Sequence, residues 1–110
     1  MNPSDIPIQV ALSMAPDTDT AARIARTLVE ERLAACVNVV PGVRSIYRWG
    51  GTIHEDGEVL LVAKTRADRM PRLADRLREL HPYDVPELVA LPVCGGLEAY
   101  LAWVAAEAIG

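Results

Sequence analysis

Val43-Arg44-Ser45-Ile46-Tyr47-Arg48-Trp49-Gly50-Gly51-Thr52 is the stretch that decides the fold. Val43, Ser45, Tyr47 and Trp49 alternate with Arg44, Ile46 and Arg48, which is the two-residue period of a strand. Gly50-Gly51 is a tight hairpin signal, so the chain is expected to double back over residues 52–64. Asp56-Gly57 is a second candidate turn or a bulge on the way. Val59-Leu60-Leu61-Val62-Ala63 is apolar on both faces, as a central strand is. Just upstream, Cys36-Val37-Asn38-Val39-Val40 is β-branched and reads as strand, interrupted by Pro41-Gly42 before the alternation begins.

Outward from this hairpin the period changes. Over residues 21–33, Ala21, Ile24, Ala25, Leu28 and Val29 recur at helical spacing, with Arg23, Arg26 and Glu30 opposite. Pro16-Asp17-Thr18-Asp19 supplies capping side chains at its start, and Arg32, inside the apolar arc, is expected to snorkel at its end. Residues 6–14, with Ile8, Val10 and Leu12, read as a first strand. Residues 68–80 form a second amphipathic helix, with Met70, Leu73, Ala74, Leu77 and Leu80 inward and Pro71 tolerated in its first turn. Residues 87–93 are a last strand, placed at an edge by Pro92. Gly95-Gly96 opens a third helix with Leu97, Tyr100, Leu101, Val104 and Ala108 along one side and Trp103 away from it.

The order strand, helix, strand, strand, helix, strand, helix predicts an α+β fold. It is the ferredoxin-like split β-α-β (βαββαβ), an antiparallel sheet of order 4-1-3-2 with an additional C-terminal helix and an extended β2–β3 hairpin. At 110 residues the chain, 1–110, is expected to be a single domain. In that order Cys36 and Cys94 lie on opposite edges, roughly 14 Å apart, beyond disulfide reach. An arm carrying Tyr47 and Trp49 has too little of its own chain to cover it. Burial against neighbouring subunits in a cyclic assembly solves that and protects both edges; an exposed, twisted ribbon is the alternative.

Composition narrows the function. The net charge of −4 argues against nucleic acid and against an anionic membrane, both of which select basic patches. RNA-binding domains of the same strand order carry sheet-face aromatics beside basic residues, whereas strands 1 and 3 here carry Ile, Val and Leu. No apolar run nears the ~20 residues of a membrane span. Residues 1–5 do not begin a signal peptide. A cytoplasmic protein with reduced thiols is expected. Cys94-Gly95-Gly96-Leu97 could present helix N–H groups to an anion, a weak signal on its own.

His81-Pro82-Tyr83-Asp84-Val85-Pro86-Glu87 is the segment that helix-making does not explain. Pro82 ends the helical pattern and Pro86 holds Val85 extended. Such a stiff loop fixes a tyrosine and two carboxylates in space, either as a connector or as part of a site.

Five blocks now stand in order: 32–38 (RLAACVN), 45–49 (SIYRW), Lys64-Thr65, 81–87 (HPYDVPE) and 100–103 (YLAW). In these the chain resembles the CutA family of divalent-cation-tolerance proteins, over residues 8–103. The resemblance implies a ferredoxin-like subunit, a homotrimer with interlocking hairpins, a bacterial cytoplasmic location, and a role in tolerance of copper and other divalent cations. The leading expectation is a protein that is not an enzyme and takes no organic cofactor, with copper or another divalent cation as the bound ion. Some members bind copper through a Cys at the end of the first strand and two adjacent His before the Pro-Tyr pair. Ser13, Leu80 and His81 match those positions, so His81 alone keeps a metal-ligating side chain, and Ser and Leu offer copper nothing comparable. His81 is otherwise a helix-terminal imidazole facing the last carbonyls.

The polar residues expected to converge are Lys64, Tyr83, Asp84 and Glu87. An ammonium at Lys64, closing an apolar strand, needs a partner; Glu87 is one candidate, and Tyr83 can donate to either. By resemblance these residues line a cleft between subunits, walled by Ser45 and Trp49 of a neighbouring hairpin; a structural ion pair at a subunit boundary is the plainer alternative. Cys36 joins the cleft candidates, although a cysteine after Ala34-Ala35 is as readily a small buried residue. Two other functions stay open: an enzyme or signalling trimer acting on a small acidic metabolite through Lys64, Tyr83 and Glu87, and a trimeric assembly module that anchors a partner.

Overall fold

The structure is a computed structural model that describes residues 5–109. Its central feature is the hairpin of β2 (Cys36–Trp49) and β3 (Thr52–Arg66). Trp49 pairs with Thr52 across Gly50-Gly51, whose φ values of 61° and 78° give the left-handed turn that matches strand twist. Asp56-Gly57 does not turn or bulge; it runs straight through β3 opposite Ser45 and Arg44. The irregularity lies at Pro41-Gly42, where the register steps from Val40↔Leu60 to Val43↔Glu58 and Gly42 takes φ 85°. One extra residue on β2 therefore exchanges its faces. Cys36, Asn38 and Val40 share a face with Leu60, Val62 and Lys64, whereas beyond the bulge Val43, Ser45 and Tyr47 share it with Glu58, Asp56 and His54.

β1 (Ile8–Ala15) and β4 (Val89–Pro92) complete a sheet of order β2-β3-β1-β4. All its pairings are antiparallel. β4 is shorter than the expected 87–93, and Pro92 stands at the edge opposite Gln9. α1 (Thr18–Glu30) is capped by Asp17, whose carboxylate accepts the Thr20 N–H at 2.7 Å. α1 and α2 (Met70–Leu80), the latter entered through a 3-10 turn at Ala67–Arg69, cover one face of the sheet. Ile24, Leu28, Leu73 and Leu77 there bury Ala11, Ala15, Val59, Leu61 and Ala63. Small strand residues let the helices approach closely. Val29, expected inward, is 40% exposed.

Arg32 does not lie in the apolar arc of α1. It follows the helix at φ 59°, its N–H bonded to Val29 O and that of Leu33 to Leu28 O. This is the left-handed terminus usually given to glycine. Its guanidinium meets Glu107 at 3.4 Å.

α3 (Glu98–Glu107) packs separately on Ile8 and Ala35 through Val104, Ala105 and Ala108. Leu97 and Tyr100, expected on that stripe, are exposed, because α3 crosses only one end of the sheet. Leu101 is the upper member of the stripe that packs inward.

Candidate functional site

Pro82 stops α2, and the chain turns on His81, which is 7% exposed. The Tyr83 N–H donates to Nδ1 at 3.2 Å, so the proton sits on Nε2, which donates to the Met14 carbonyl at 2.6 Å. Ser13, also buried, donates through Oγ to the Glu87 carbonyl at 2.7 Å. The two ends of the 81–87 loop are thus clamped onto the end of β1, which aims Tyr83 toward the hairpin. The Tyr83 hydroxyl donates to Glu58 Oε2 at 3.0 Å. Burial first, and then this bond to a carboxylate, pushes the phenol up to about 12. On the hairpin, the Tyr47 hydroxyl donates to Asp56 at 2.5 Å, which also raises its pKa. The Tyr47 ring stacks on His54, with centroids 5.3 Å apart.

Between loop and arm lies a groove of about 820 Å³. Ser45, Trp49, Tyr83, Asp84 and Glu87, all expected at a cleft, line it within one chain. Lys64 and Cys36 do not. They stand opposite each other on the ladder, Lys64 donates to the Asn38 side chain rather than to Glu87, and Cys36 neighbours Tyr100, whose pKa is raised by burial and then by that thiol. Sequence reading missed Glu58 and Met14, which also line the groove. The one signal for Glu58 was an acidic residue at the start of an apolar strand. Cys36 and Cys94 are both free thiols.

The residues at the copper-type position do not fit the ion. Ser13 Oγ and both His81 nitrogens are spent on main-chain partners, and Leu80 has no donor atom. Among the described residues no three His, Cys, Asp or Glu side chains gather to hold a metal. No helix among them is long and apolar enough to cross a membrane.

A split β-α-β sheet with an overlong hairpin and a tyrosine–carboxylate groove at its side defines a ferredoxin-like subunit with a projecting arm. The model of the CutA1 divalent ion tolerance protein matches residues 9–107, and the chain belongs to that family. The divalent-cation tolerance protein CutA of Thermus thermophilus is 53% identical over 96 residues, covering 87% of this chain and 93% of its own length. Human CutA is 48% identical over 97 residues, 88% of this chain, which spans only 54% of the human protein. A solved structure of the Thermus thermophilus protein superposes with TM-score 0.89 at 51% identity, covering 91% of this chain and 97% of its own. CutA1 from Oryza sativa gives 0.92 at 39%, covering 94% and 95%.

Proposed function

We propose that this chain serves divalent-cation tolerance as a non-enzymatic homotrimer in the cytoplasm, with a metal ion or small ligand bound at grooves where hairpins meet neighbouring subunits. The observation that carries this reading is the arm. Ile46, Trp49 and Ile53 are 66%, 62% and 63% exposed, and among the described residues the β2 and β4 edges both lack a neighbour in the sheet. Burying such residues is worth roughly 1.5–3 kcal/mol each, and large apolar patches on a subunit are characteristic of interfaces. Val89 and Leu91, each 48% exposed on β4, extend the apolar surface. The groove beside the arm supports the ligand-binding part.

Light scattering is the direct test: a mass about three times 11.9 kDa is expected, and a stable monomer would remove the assembly. Equal growth under copper stress with and without the gene would remove the tolerance role.

A further inference from the structure

We infer that the groove between the arm and the 81–87 loop takes a small organic cation, an ammonium or guanidinium on an aliphatic body. This rests on the reading of that groove as the ligand site and names the chemistry it selects. At about 820 Å³ the groove has the size of a small-molecule site. Its lining holds three carboxylate residues, Glu58, Asp84 and Glu87, against one guanidinium, Arg48. Tyr47, Tyr83 and Trp49 supply aromatic walls. Aromatic faces are electron-rich, and they attract cations whose charge is spread and weakly hydrated.

A bare divalent ion is the poorer occupant. Hard cations require several oxygens converging at about 2.0–2.6 Å, and no such trio exists among the described residues. One Glu58 oxygen already accepts from Tyr83. That bond fixes the carboxylate against an aromatic ring and leaves its second oxygen for a ligand donor. An anionic metabolite would face three carboxylates and a single compensating charge, since Lys64 is turned to Asn38. An organic cation satisfies both features of the wall, its charge meeting carboxylate and its body meeting ring and thioether (Met14 also lines the groove).

The test is a ligand-detected NMR titration of the full-length protein with four probes, each on a chain of four carbons: n-butylammonium, n-butylguanidinium, n-butanol and butyrate. The two cations are expected to bind at least roughly tenfold more tightly than n-butanol, with butyrate the weakest. The exposed pair Asp84→Asn with Glu87→Gln, and separately Trp49→Leu, should each weaken the cations by about tenfold while circular dichroism stays unchanged. n-Butanol or butyrate binding as tightly as the cations would overturn the inference. So would cation binding unaltered in both variants. Absence of cation binding by a protein of trimer mass that still supports copper tolerance would also overturn it, yet leave the proposed function standing. A monomeric mass would strike the assembly and not the cation result.

Discussion

The Tyr83 hydroxyl donates to Glu58 Oε2 at 3.0 Å, and this is the side-chain bond that joins the 81–87 loop to the hairpin. Its consequences are readable by alkaline titration. Tyr83, held up to about 12, should be the last phenol to ionise in a 295 nm absorbance titration. A folded-state pKa raised above the unfolded value near 10 contributes stability that is whole below pH 10 and lost as pH climbs toward 12. Glu58→Gln should bring the last phenol only part of the way down, because burial is the larger cause; an unmoved curve would separate the two groups.

Asp17 sets the opposite limb. Its carboxylate is held below the usual range, chiefly by the Thr20 N–H. A depressed pKa contributes stability above the unfolded value near 3.9 that disappears as acid protonates the cap. Asp17→Ala should lower the urea midpoint at neutral pH and make the acid limb shallower than in wild type.

His81→Leu should cost about 2–3 kcal/mol in chemical unfolding. It leaves the partly buried Met14 carbonyl and Tyr83 N–H without their partner. Copper titration of His81→Ala should give the wild-type affinity, since both nitrogens serve the fold; a large loss would make His81 a metal ligand.

Arg32→Gly should raise stability by up to about 1 kcal/mol. A non-glycine residue in left-handed backbone costs roughly 1–2 kcal/mol, against which stand the exposed Glu107 pair at 3.4 Å and glycine's extra unfolded freedom. A fall in melting temperature would show that the ion pair outweighs the backbone.

Ile46→Lys with Ile53→Lys should keep the circular dichroism of the sheet and helices but drive the measured mass toward 11.9 kDa. Both residues lie far out on the arm and are exposed, so the substitution leaves the core intact. An unchanged mass would place any subunit contact elsewhere.

Element order, strand order and the arm were legible because periodicity and turn chemistry agree: Gly50-Gly51 closes the ladder at Trp49↔Thr52, and Pro92 lies at an edge. Half of the candidate site was legible too, since the prolines around Tyr83 announce a rigid loop. What failed was pairing. Lys64 turns to Asn38, two positions from its ladder partner Cys36, a choice no linear pattern encodes. Glu58 reaches the groove through the bond it accepts from Tyr83, a pairing between residues 25 apart in the chain. α3 was misread at Leu97 and Tyr100, because helical spacing alone cannot say how much of a helix a neighbouring sheet covers.

The surplus residue at Pro41-Gly42 makes the arm's direction a matter of chain length. Loss of one codon there would leave a single residue opposite Val59 and keep Val43↔Glu58, Ser45↔Asp56 and Tyr47↔His54 paired, so the strand would run straight where it now bends. The recess would keep the same lining residues, while the angle at which the arm leaves the sheet would change. Chain length at this single point thus governs how far the arm stands from the 81–87 loop.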